Sequence, residues 1–147
     1  MASMSDALET AILELLFKNT TLANVGDVTG IAGGTVGSTE LSLNTTALTD
    51  ASTSIATNEI SYTGYARPTQ ARSAAGWTVS GGVASNAALI TFGEMTAGAG
   101  GTAVHTGLTF DSGGVVLHLH ADLTADLAVT NGITPQFAIG VLTWTAA

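Results

Sequence analysis

Near its C-terminal end the chain reads "GGVVLHLHADLT". His118 and His120 are two residues apart, and Asp122 follows after one more. In a β-strand successive side chains alternate between faces, so these three share one face. Two imidazoles and a carboxylate are good ligands for a first-row metal. The spacing opens like the H-x-H-x-D element of metallo-β-lactamases. There a further histidine follows the aspartate, whereas Leu123 follows here and no histidine lies downstream. The favoured reading is therefore a half-buried strand. Leu117, Leu119 and Ala121 face the core, and His118 and His120 face solvent or a neighbouring subunit. His105, in "TAVHTGLTF", is expected at a surface or interface on the less apolar face of its own strand.

Other chemistries find less support. No G-x-S-x-G elbow is present to set a nucleophile beside a histidine. The glycine-rich stretches "GIAGGTVG" and "GAGGT" lack the lysine of a phosphate-binding loop. The eleven carboxylates form no evident pair for acid–base work. Cysteine is absent, which excludes disulfides, thiolate metal sites and a cysteine nucleophile. Neither enzymatic activity nor a cofactor is expected.

The 147 residues suit one domain of normal size. Charged residues make up only 10%, and the mean hydropathy is +0.42. Thr, Ser and Asn supply the polar surface in place of Lys and Glu. Such a surface suits a protein packed among copies of itself or in a larger assembly. The only basic residues are Lys18, Arg67 and Arg72, and the net charge is −8. Nucleic acid and anionic membranes are poor partners for such a chain, because both require clustered Lys and Arg. The start "MASMSDALE" does not resemble a secretory signal, and no apolar run reaches the length of a membrane span.

One segment predicts a helix. In "SDALETAILELLFKN", Leu8, Ile12, Leu15 and Leu16 recur at helical spacing. Asp6 with Glu9 suggests a capping-box-like start, and Lys18 and Asn19 suit the end. A helix this short needs a surface to dock on, either the protein's own sheet or a neighbour. The following Gly/Thr-rich stretch reads as an extended arm to Ser38. From Thr39 on, short β-prone runs alternate with Gly and Asn turns: "TELSLNTTA", "EISYTGYAR", "GWTVS", "AALITF", "TAVHTGLTF", "VVLHLHADLT", "LAVT" and "QFAIGVLTWT". In the last run Phe137, Ile139 and Val141 are placed on one face. The expected class is mainly β: a β-sandwich or jelly-roll-like barrel over 39–147, preceded by a helix and arm over 1–38.

Arg67 and Arg72 stand out because cations are so scarce. In "GYARPTQAR" they flank Pro68, just after Tyr62 and Tyr65. They can pair with the abundant carboxylates or anchor an interface, where Tyr and Arg are enriched. The candidate interface set is Leu8, Ile12, Leu15, Leu16, Tyr62, Tyr65, Arg67, Arg72, His118 and His120.

The order of "TNEISYTGYARPTQ", "ALITFGEMT", "VHTGLTFDSGGVVLHLHADLT" and "NGITPQFAIGVLTWT" resembles a family of small phage virion proteins often labelled tail fibre proteins. Glu59 to Arg67, Val104 to Thr124 and Asn131 to Thr143 carry the likeness, which spans about the last two-thirds of the chain. The resemblance implies a non-enzymatic virion component. It puts His118 and His120 on an ordinary hairpin strand. Composition and resemblance together favour a capsid decoration, or cement, protein. Such a protein would bind the major capsid protein or other virion proteins as a homo-oligomer, with a trimer favoured. A tail or head fibre component that contacts the host is the alternative.

Overall fold

The computed structural model describes residues 4–23, 25, 37–110 and 113–146. Most of the expected arm lies outside the described residues. The structure is mainly β, with one short helix and several antiparallel sheets, as the sequence predicts. By contact the chain falls into two compact units. One comprises Met1–Ser38, Gln70–Leu89 and Phe137–Ala147, and the other Thr39–Thr69 and Ile90–Gln136. This grouping runs differently from the division at residue 38 expected from the sequence. The helix segment groups with two later stretches of the chain.

In the first unit, helix α1 spans Asp6–Lys18. Its N-cap is Ser5, whose hydroxyl accepts from the Leu8 amide. The cap thus lies one residue before the expected Asp6. Asp6 and Glu9 instead occupy the first turn, where negative charge favours the helix N-terminus. At the other end Asn19 takes the left-handed conformation, at φ 57°, that stops a helix. Lys18 Nζ meets the Glu14 carboxylate at 2.9 Å, one turn back.

The buried residues of α1 are Leu13 and Phe17. The predicted stripe of Leu8, Ile12, Leu15 and Leu16 is only half-buried. Periodicity alone put the stripe slightly off the true core face. The Phe17 ring meets the fully buried Trp77 edge-on, with centroids 4.6 Å apart. Trp77 begins β3 (Trp77–Ser80), which pairs antiparallel with the next strand, Val83–Asn86. Gly81 and Gly82 form their turn with φ of 56° and 73°, values that a two-residue hairpin needs and glycine adopts freely. The Gly82 amide donates to the Thr10 hydroxyl of α1 at 3.1 Å. So the helix docks on this chain's own hairpin. The C-terminal strand Thr143–Thr145 completes the sheet and sets Trp144 opposite Ala84.

In the second unit β1 (Ser38–Asn44) pairs antiparallel with β6 (Gly101–Thr109), which pairs with β7 (Leu119–Val129). Numbered in chain order, β2 is Thr69–Ala71, where the chain passes from one unit to the other, β4 the Val83–Asn86 strand, β5 Ile90–Thr91, β8 Gln136–Phe137 and β9 the C-terminal strand. Leu41, Leu43, Ile55, Ile60, Phe92, Leu108 and Val129 form the core of this unit. Gly107 is held by packing. A Cβ there would stand 2.9 Å from Ser42 Oγ and 3.0 Å from Leu48 Cδ1.

β7 merges two predicted strands into one of 11 residues. Its register on β6 passes from His105–Asp122 to Ala103–Leu127, so four residues of β7 lie opposite one of β6. The stretch 123–126 therefore bulges. β7 stands at the edge of its sheet. A bulge with Asp122 and Asp126 at its borders is the kind of device that keeps an edge from pairing with other strands.

Three expectations fail locally. "EISYTGYAR" is loop, with isolated bridges at Glu59 and Thr63 in place of a strand. β4 occupies the stretch between "GWTVS" and "AALITF", which is not among the expected strands. "QFAIGVLTWT" breaks into β8 and β9 around a turn, which leaves Ile139 and Val141 exposed. Gly140 at φ 75° sits in that turn.

The Phe17–Trp77 contact ties the helix to the hairpin. Phe17→Ala is expected to destabilise the protein by about 3–5 kcal/mol. Urea unfolding followed by Trp fluorescence checks this. A loss below about 1 kcal/mol would mean that the helix is an appendage.

Candidate functional site

The three histidines form a polar constellation in the second unit. β7 begins at Leu119, so His118 lies just outside the strand. His118 Nδ1 accepts from the Phe110 amide at 3.3 Å and lies 3.2 Å from the Thr109 hydroxyl. An amide can only donate, so the proton of neutral His118 sits on Nε2. His120 turns elsewhere. Its Nδ1 is 3.1 Å from His105 Nε2, and its Nε2 is 3.2 Å from Asp50 Oδ1. His105 Nδ1 in turn lies 2.6 Å from Asp122 Oδ1. That last contact is close, but it lies off the axis of an aligned hydrogen bond.

The result is a series running Asp50, His120, His105, Asp122. The antiparallel register builds it, setting His105 opposite Asp122 and Gly107 opposite His120. His105 is 3% exposed, contrary to its expected place at a surface. The side chain of Asp122 is 84% exposed and that of Asp50 fully so. Between the two facing ring nitrogens one must carry a proton and the other a lone pair. Among the described residues no three His, Asp or Glu side chains converge as metal ligands.

His118 and His120 line a shallow pocket of about 190 Å³ with Thr49, Asp50, Ser52 and Leu117. Its groups are one carboxylate, two aliphatic hydroxyls, two imidazoles and one apolar wall. They can exchange hydrogen bonds with a polar surface. No hydrogen bond joins Ser52 to a histidine among the described residues; the Ser52 hydroxyl instead accepts from the Thr49 amide at 3.0 Å. Thr109, the hydroxyl beside His118, is fully buried.

The Tyr/Arg segment is engaged internally. Glu59 Oε1 and Oε2 accept from Arg67 Nε and Nη2 at 2.8 and 2.6 Å, a bidentate pair. Arg67 Nη1 donates to the Gly114 carbonyl at 3.2 Å. The Tyr65 hydroxyl donates to Glu59 at 2.6 Å and accepts from the Leu43 amide at 3.2 Å. Tyr62 is buried and donates to the Gly93 carbonyl at 2.8 Å. Burial pushes the Tyr65 phenol far above its ordinary value, and the hydrogen bond to Glu59 adds to the shift. Burial also raises Tyr62. The bond to Glu59 is what holds Arg67 above its ordinary value.

In the first unit Arg72 Nε and Nη2 donate to the carbonyls of Leu16 and Leu15 at 2.7 and 3.0 Å. These belong to the last turn of α1, where carbonyls lack partners within the helix. Of the ten candidate interface residues, then, only His118 is exposed. Leu8, Ile12, Leu15 and Leu16 share one helix, Tyr62, Tyr65 and Arg67 one loop, and the histidines one pocket. Asp50 was missed, and His105 was expected at a surface or interface of its own strand, because only the fold brings both to His120.

A family model for the Podophage GP4 fiber I protein gp80 matches residues 3–145. The chain belongs to this family. It is accordingly a phage virion structural protein. No curated relative matches the chain. The gp80 family match runs through both units, the helix and the stretch Thr20 to Ser38 included. The likeness seen in the sequence alone covered only the later part.

The tyrosine shifts set a direction for alkaline stability. A phenol raised in the folded state stays neutral while its unfolded counterpart ionises, so it stabilises fully below the ordinary value of 10.0. That stability declines as pH rises above this point. Absorbance titration should show Tyr65 ionising only as the protein unfolds, and Tyr65→Phe should remove that coupling. A Tyr65 that ionises reversibly in the folded protein near the ordinary value would contradict the burial.

Proposed function

We infer that this protein is a component of a virion fibre, working by contact and not by catalysis. The match to the fiber I family over residues 3–145 carries this reading. Two features of the chain support it. The pocket beside His118 and His120 offers hydrogen-bonding groups at the surface, which suits contact with a host or virion partner. The basic residues described above are all engaged internally, which leaves an acidic exterior unsuited to holding nucleic acid.

A decoration role on the shell draws on the same low-charge composition, and copy number separates the two. A fibre is present in far fewer copies than the shell protein. Quantitative mass spectrometry of purified particles is therefore expected to give a ratio well below one per shell subunit. Antibody labelling should gather at discrete points. A ratio close to that of the shell protein, with label spread over the capsid, would replace the fibre reading with decoration. Absence from particles would overturn both.

A further inference from the structure

The series Asp50, His120, His105, Asp122 fixes a proton count. An ionised carboxylate can only accept a hydrogen bond, and each ring nitrogen carries either a proton or a lone pair. Asp50 Oδ1 stands 3.2 Å from His120 Nε2, and Asp122 Oδ1 stands 2.6 Å from His105 Nδ1. A lone pair on either nitrogen would face an anion, so both outer nitrogens favour a proton. The inner contact, His120 Nδ1 to His105 Nε2 at 3.1 Å, needs one proton between them. All three contacts are satisfied together only by three protons on the four ring nitrogens. Two neutral imidazoles supply two. The complete series is therefore one imidazolium beside one imidazole. A second cation would set N–H against N–H at the inner contact and place like charges side by side.

The surroundings favour the extra proton. With both rings neutral, the two carboxylates leave the series with a double negative charge, and one proton halves it. Arg67, the only Lys or Arg in this unit, is held by Glu59. From β1, Asn44 lies opposite His105 and is uncharged, with its amide spent on the Ile55 and Thr57 carbonyls. His118 shares the pocket with His120 and Asp50, but its Nδ1 accepts from the Phe110 amide, so it stands outside the series.

We propose that the series is a proton-operated latch, in which one proton on His120 Nε2 ties the Asp50 turn to β7. The geometry selects which contact opens when that proton leaves. Asp122 is paired directly opposite His105 in the ladder, so the backbone keeps its carboxylate at hand. Asp50 belongs to a turn closed by the Ser52 amide on the Thr49 carbonyl, and its contact at 3.2 Å is the longest of the three. His105 is buried, whereas the His120 side chain is 26% exposed, so the proton passes to water from His120. His105 then keeps Nδ1–H toward Asp122, and His120 keeps Nδ1–H toward His105 Nε2. His120 Nε2 is left with a lone pair against the Asp50 carboxylate. Repulsion frees Asp50 and alters the pocket that it lines with Thr49, Ser52, Leu117, His118 and His120. Acid closes the latch and base opens it, as suits a histidine device. The latch does not depend on the fibre reading.

NMR of the isotope-labelled full chain over a pH series tests this, because ring-nitrogen shifts report which nitrogens carry protons. A state with three protonated nitrogens is expected, with spin coupling across the inner nitrogen–nitrogen contact. As pH rises the proton should leave His120 Nε2, both rings should end as Nδ1–H tautomers, and amide exchange at residues 49–52 should quicken in the same step. Asp122→Asn should move that step to lower pH by about one unit, since a carboxylate beside an imidazolium favours its proton. Its side chain is 84% exposed, so the fold tolerates the change. Asp126→Asn, which removes the same charge from an exposed position further along β7, should move it much less. Absence of the three-proton state at every pH where the protein stays folded would overturn the proposal. So would an Nε2–H tautomer of His120 after the proton is lost, amide exchange at 49–52 that ignores the step, or equal shifts in the two variants.

Discussion

A backbone carbonyl or amide buried without a partner costs about as much as a lost hydrogen bond. This chain makes many such groups outside its ladders, because several of its strands are only two to four residues long. Long connections must be satisfied by other means. Asn44, fully buried, donates to the carbonyls of Ile55 and Thr57 and accepts from Ser42. Asn86 does the same for the turn at 138–142. Tyr62 serves the Gly93 carbonyl, Arg67 that of Gly114, and Arg72 the end of the helix. The polar side chains that look scarce and therefore functional are largely occupied in closing loops.

The same economy shapes the surface. Lys18, Arg67 and Arg72 all turn to acceptors within their own unit, while Asp50 and Asp122 stay exposed. The exterior is then acidic in some places and uncharged in others. The histidine series fits this picture as a cross-link. It ties the loop at Asp50 to β6 and β7 through two imidazoles, one fully buried and one partly exposed.

Local patterns alone established several things about this protein. The 3.6-residue spacing and the polar ends located the helix to within a residue, since both act within a few residues along the chain. The Gly81-Gly82 turn and the alternation in "TELSLNTTA" and "TAVHTGLTF" gave β3, β1 and β6 for the same reason. Cation scarcity, the missing cysteines and the mainly-β class followed from composition and turn chemistry. The order of short segments along the chain also pointed to a phage virion family.

Other features depend on what lies across the fold. Leu13 and Phe17 rather than the Leu8 stripe became the buried face, because Trp77 stands sixty residues away in sequence. His105 left its expected surface when β7 paired beside it, and Asp50 joined His120 from a loop seventy residues distant. Tyr65 and Arg67 read as an interface or as partners of a carboxylate, and only the fold names that carboxylate as Glu59. Ile139 and Val141 alternate as strand residues do, yet Asn86 folds them into an exposed turn. In each case a hydrogen bond or ring contact from a distant segment outweighs a local preference of a few tenths of a kcal/mol, roughly the scale of propensity. Local patterns show which elements form; only the packed structure shows which side chains are left over for partners.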